Sequence, residues 1–259
     1  MQNLNGKRVV ITGGSQGLGL AMVEALAARG ANVTAISRDQ AKFAAAEQAG
    51  AAMIAGDATD ATLMNSVVRE EAPDVLILNA GTRLPIKPID QLSWDEFSIV
   101  WNTDVKAGLV GIQAALHTPM KPGSRVLVMS SGAAMVLAVP FIKPDDLSLS
   151  GGYIGAKRML WFMAHSANKV SRDRGLGIHF QVLAPMQLIP GTTLGHEVAA
   201  ACAEIEGVSI EELVMQRYGS VLRPAQIGEQ VAEILGNPRY LQGVAYGFRN
   251  DCDLQPLDV

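Results

Sequence analysis

The chain has 259 residues, 49% of them hydrophobic, and a net charge of −4 with its lysines and arginines scattered. That length suits one large α/β domain better than two small ones, and the scatter leaves no basic stripe of the kind a nucleic-acid backbone requires. Two distant cysteines, Cys202 and Cys252, and four dispersed histidines fit no metal or redox spacing, so ordinary thiols in a reducing compartment and no metal site are expected.

A polar stub leads directly into strand-like Lys7-Arg-Val-Val-Ile-Thr12, which leaves no room for a signal peptide. No apolar run approaches the roughly 20 residues that span a bilayer, so a cytoplasmic protein without membrane partners is expected. From residue 7 onward, short β-branched runs alternate with longer Ala- and Leu-rich segments of helical period, which predicts a doubly wound parallel sheet with helices on both faces. Strands are predicted at 7–12, 32–36, 52–55, 75–78, 124–129, 177–183 and 243–246. Helices are predicted at 17–29, 39–49, 60–71, 93–119 with a break, 152–173 and 224–236. No repeat or linker divides residues 1–259, and about 190–222 reads as a long connection covering a substrate site.

The first turn, Thr12-Gly-Gly-Ser15-Gln-Gly17-Leu18-Gly19, sets glycines 13, 17 and 19 between a strand and a helix. Glycines there permit a tight turn and let backbone approach a pyrophosphate at the helix N-terminus, so a dinucleotide site is expected. The second strand ends in Ser37-Arg38, where an NAD-binding unit would carry an acid for the ribose 2′-hydroxyl. A small hydroxyl followed by a guanidinium suits a 2′-phosphate instead, favouring NADP(H) over NAD(H), although Asp39 keeps an acid within reach. After the third strand, the Asp57-Ala58 carboxylate could accept from an adenine amino group; Asp57 or Asp60 could equally cap the next helix. Asn79-Ala80-Gly81 ends the fourth strand with residues small enough to pass close to a cofactor, or simply to turn.

Tyr153 and Lys157 head an apolar helical run at a spacing that sends both side chains from one face. A phenol, with a pKa of about 10, needs a drop of roughly three units to exchange protons near neutrality. An ammonium ~4 Å away at an effective dielectric of ~20 supplies the corresponding ~4 kcal/mol.

Together these residues resemble the short-chain dehydrogenase/reductase family in its compact single-domain branch, over nearly the full length. The matching marks are the Thr12 to Gly19 loop, Asp57, Asn79-Ala80-Gly81, Asn102, Ser130-Ser131, and Tyr153 with Lys157. The resemblance implies a Rossmann-type fold and hydride transfer between a nicotinamide and a carbonyl/alcohol pair. It implies Tyr153 as general acid and base, Lys157 as the group that lowers the phenol's pKa and holds the nicotinamide ribose, and Ser131 as partner of the substrate oxygen. Asn102, by the same analogy, would hold a water that resupplies the proton through Lys157, or else merely bend a long helix. A non-catalytic NADP-binding sensor is the alternative, as is a relative turned to dehydration or epimerisation.

Two departures from the family pattern stand out. Ser131 and Tyr153 are 22 positions apart, with an added segment from Met135 to Ser150, an apolar stretch followed by Lys143-Pro-Asp-Asp. Ser148 and Ser150 lie nearer Tyr153 in sequence, while Ser131 is favoured by its place at the strand end. Pro185-Met186 replaces the usual Pro-Gly, with Pro190-Gly-Thr192-Thr193 further on. The run 134–142 and the 190–222 connection are expected to wall a pocket for a bulky, largely uncharged carbonyl compound. Five large apolar residues in a row, Met159-Leu-Trp-Phe-Met163, cover all sides of their helix and predict a homodimer or homotetramer.

Overall fold

Continuous apolar runs such as Val75-Leu-Ile-Leu78 suit strands covered on both faces, and the computed structural model, which describes residues 4–135, 151–250 and 254–257, buries this run along its whole length. The strands are β1 (Arg8–Thr12), β2 (Asn32–Ser37), β3 (Ala52–Ala55), β4 (Val75–Leu78), β5 (Arg125–Met129), β6 (His179–Pro185), β7 (Ala245–Phe248) and β8 (Gln255–Pro256). They form one sheet in the order β3-β2-β1-β4-β5-β6-β7-β8. All pairs are parallel except that β8 closes the edge antiparallel to β7.

Alternate side chains of a strand face opposite layers. Val9 and Ile11 join one core, with Met22 and Leu26 of helix α1 (Gly17–Ala27) and Ile227 and Val231 of α9 (Pro224–Gly236). Val10 joins the other, with Val67 of α3 (Ala61–Glu71), Ile112 of α5 (Lys106–His117), and Leu160 and Ala164 of α6 (Tyr153–Asp173). A Cβ on Gly228 would lie 2.3 Å from the Ala21 carbonyl oxygen, so glycine is what lets α9 press onto α1.

Each predicted strand is present, with those predicted at 177–183 and 243–246 shifted by two residues; the antiparallel β8 was not expected, and the larger differences lie in the helices. The segment 39–49 opens with a 3-10 turn, Gln40–Lys42, before α2 (Phe43–Gln48). The long stretch 93–119 is α4 (Trp94–Val100), a π-helical turn Trp101–Val105, and then α5. The connection 190–222 is itself folded into α7 (Thr193–Glu206) and α8 (Ile210–Tyr218). Thr192 caps α7, its Oγ1 accepting from the Gly195 N–H at 3.0 Å, and Gly207, at φ +67°, ends it in the left-handed region. Ser209 and Glu212 form a capping box on α8. The two helices enclose a small core of Ala199, Cys202, Ala203 and Leu213. Among the described residues no helix is long and apolar enough to cross a membrane.

Candidate active site

β1 has β2 on one side and β4 on the other, so the chain leaves its two halves in opposite directions and a crevice opens at the strands' C-terminal ends. A cavity of about 480 Å³ occupies it. Gly13, Ser15, Gly17, Leu18, Gly19, Ser37, Arg38, Asp57, Ala58, Asn79, Ala80, Gly81, Ser131, Tyr153 and Lys157 all line this one space. Asn102 does not.

The glycine loop is stitched to the end of β4. Thr12 Oγ1 accepts from the backbone N–H groups of Asn79 (3.0 Å) and Ala80 (3.1 Å), and Asn79 Nδ2 donates to the carbonyls of Thr12 (3.1 Å) and Gly13 (3.2 Å). Gly13 and Gly17 take φ +70° and +57°, and a Cβ on Gly19 would sit 1.9 Å from the Gly13 oxygen. The turn therefore admits only glycine at 19 and strongly favours it at 13 and 17. No side chain caps the first turn of α1, whose N–H groups stay available to an anion.

At the neighbouring strand end, Ser15 Oγ and Ser37 Oγ share a hydrogen bond of 2.8 Å, and Arg38 lies 3.8 Å from Asp57. Asp57 receives the Thr59 N–H at 2.8 Å, which holds its carboxyl below the usual range, with Arg38 adding to the effect against partial burial. Asp60, not Asp57, caps α3, accepting from Thr62 and Leu63 N–H.

Tyr153 and Lys157 open α6, whose start is fixed by close contact with α4 and the π turn. A Cβ on Gly152 would meet the Phe97 oxygen at 2.2 Å, and one on Gly155 the Trp101 ring at 3.3 Å. Ser130 Oγ donates to the Lys157 carbonyl at 2.9 Å and ties α6 to the end of β5. Ser131 follows on the cavity wall, its Oγ accepting from the Ala133 N–H at 3.2 Å. Lys157 Nζ is 5.6 Å from the centre of the Tyr153 ring.

The residue beside Lys157 is not the one the sequence suggested. Asn102 is exposed and donates to Ser98 Oγ at 3.3 Å. Residues two apart on a helix point to nearly opposite sides, and Asp104 turns inward instead. Its Oδ2 is 2.9 Å from Lys157 Nζ, and its Oδ1 accepts from the Thr82 N–H at 2.9 Å. Burial, the largest influence, pushes the Lys157 ammonium down, but the Asp104 carboxylate and Tyr153 together outweigh it, and the net direction is up. A carboxylate in the middle of the predicted helix, between Val100 and Val105, was the available signal.

Beyond Tyr153 the walls become apolar. Leu84, Val100 and Ala156 cluster with Tyr153, Leu194 and Val198, so α7 faces the Tyr153 end of the cavity. Arg83 reaches α7 and donates through Nε to Glu197 at 3.1 Å, joining the segment after β4 to the helix. Pro185, Met186, Gln187 and Thr192 complete this side. Residues 136–150, with Phe141, Ser148 and Ser150, lie outside the described residues.

A short chain dehydrogenase family model matches residues 7–142, and the chain belongs to that family. It is 24% identical to L-fucose dehydrogenase of Rattus norvegicus over 93% of this chain and 87% of the relative. Among solved structures it resembles a short chain dehydrogenase from Burkholderia cenocepacia J2315 in complex with NADP, with a TM-score of 0.73, 26% identity, and 95% and 96% of the two chains covered. It also resembles a blue fluorescent protein from a metagenomic library in complex with NADPH, with a TM-score of 0.70, 25% identity, and 95% and 97% covered.

Proposed function

We propose that the protein is an NADP(H)-dependent oxidoreductase acting on a carbonyl/alcohol pair. The observation that carries this reading is that Ser131, Tyr153 and Lys157 share one cavity with the glycine loop and with Ser37 and Arg38. The nicotinamide cofactor, when bound, supplies or accepts the hydride. The glycine turn and the uncapped start of α1 fit its pyrophosphate, and Ser37 and Arg38 fit a 2′-phosphate, in keeping with the NADP-bound relatives. Lys157 is buried beside the tyrosine and holds the ribose end. Tyr153 Oη donates a proton to the substrate oxygen in reduction and takes it back in oxidation. Ser131 Oγ hydrogen-bonds that oxygen as charge builds on it.

The substrate end is walled by Leu84, Met186, Leu188, Leu194 and Val198. Burying apolar surface there contributes about 25 cal/mol per Å², which favours a bulky, largely uncharged carbonyl compound over a sugar phosphate or small hydroxy acid. In this reading α7 and α8 are the cover over the substrate. The test is a panel of ketones and aldehydes assayed by NADPH absorbance, with NADH in parallel. Oxidation of NADPH by large apolar ketones, with small polar ones turned over at least tenfold less efficiently, is the expected result. No turnover of any carbonyl or alcohol, with NADPH nonetheless bound, would instead leave a cofactor-binding protein without this chemistry.

A further inference from the structure

Lys157 does not stand alone as a cation. Its ammonium is buried, 5.6 Å from the centre of the Tyr153 ring and 2.9 Å from the Asp104 carboxylate, with the Met129 carbonyl 3.4 Å away. Asp104 is itself held from the far side by the Thr82 N–H at 2.9 Å. A Cβ on Gly81 would come within 2.9 Å of Asp104 Oδ2, so glycine at that position gives the carboxylate its space. The π-helical turn Trp101–Val105 brings Asp104 to the cavity wall. The other charged side chains on that wall are engaged with carboxylates: Arg38 with Asp57, Arg83 with Glu197, and Arg217 with Glu206.

We propose that Asp104 is a positioning residue whose carboxylate clamps Lys157 and cancels part of its charge, so that the Asp104–Lys157 pair, and not Lys157 alone, sets the pH at which Tyr153 gives up its proton. The role in catalysis rests on the reading of Tyr153 as proton donor. A lone buried ammonium would favour the phenolate strongly. A carboxylate 2.9 Å from that ammonium and buried with it opposes that field. The consequence is a tyrosine kept protonated to higher pH, and reduction sustained there.

The test uses Asp104→Asn, which removes the charge yet leaves an oxygen to accept from Thr82, and Asp104→Ser as a smaller uncharged second variant should the amide not fold. Tyrosinate absorbance is followed against pH in each protein and in its Tyr153→Phe counterpart, so that the difference isolates Tyr153 from the other tyrosines. The uncharged variants should form the Tyr153 tyrosinate at a pH about one unit lower than wild type, which is tenfold in the equilibrium. Where carbonyl reduction is measurable, its alkaline fall-off should move down by the same amount, and the dissociation constant for NADPH should rise several-fold as Lys157 loses its clamp. An unchanged or raised tyrosinate midpoint in the variants would overturn the proposal. The absorbance measurement needs neither substrate nor cofactor, so a wild type inactive on every carbonyl would overturn the oxidoreductase reading alone.

Discussion

In the proposed reaction Tyr153 acts through one oxygen, and the residues around it determine what that oxygen can do. Tyr153→Phe is expected to cut turnover by well over tenfold while leaving NADPH dissociation within several-fold, because the phenol moves protons and contributes little to holding the cofactor; single-turnover rates and fluorescence titration separate the two. The proposed cofactor choice rests on two other side chains, Ser37 and Arg38. Arg38 is largely exposed and only loosely paired with Asp57 at 3.8 Å, so its guanidinium can turn to a 2′-phosphate. Ser37→Asp combined with Arg38→Ile removes that cation and adds a repelling acid. The ratio of kcat/KM for NADPH over NADH is expected to fall by at least tenfold, and a wild type that already prefers NADH would refute the assignment.

At the scale of elements, the end of the sheet away from the cavity depends on one buried cation. Arg125 opens β5, and burial brings its guanidinium down to about 10, so it stays charged at neutral pH. It donates to Gln181 Oε1 at 2.8 Å and to the Ile234 carbonyl at 2.8 Å, and Gln181 in turn donates to the Tyr240 carbonyl at 2.8 Å. Arg125→Met strands these acceptors and is expected to cost about 2–4 kcal/mol in denaturant unfolding, with NADPH affinity unchanged. Such elements differ in how readily the sequence discloses them. The strands were legible because an all-apolar run such as Val126-Leu-Val-Met129, bounded by a glycine turn, has few other uses. The glycine loop was legible because it stands between a strand and a helix. Asp104 was not, since the π turn adds width to the helix and shifts which residue faces inward, and no periodicity argument resolves a one-residue change of phase. The helices α7 and α8 were passed over although Ser209-Ile-Glu-Glu212 and Gly207 mark a cap and a stop, because their apolar faces are short and bury mainly against each other.

For the whole molecule, the helix that begins at Tyr153 also bears on association. Leu160 and Trp161 pack inward, but Phe162 is 66% exposed, and Leu109 on the adjacent α5 is 42% exposed. An exposed aromatic on α6 and an exposed leucine on α5 favour pairing of copies across these two helices. A dimer or tetramer by sedimentation at micromolar concentration is expected, and Phe162→Glu should shift it toward monomer; a wild-type monomer would refute the interface. The bond from Arg83 to Glu197 carries a consequence of another kind. It fastens the strand side of the cavity to α7, and its arginine lies mostly in water, so dissolved salt weakens it. Residence time of a ligand under α7 then becomes a function of the medium: escape quickens as ionic strength rises, and Glu197→Gln reproduces that quickening in dilute buffer while removing its salt dependence.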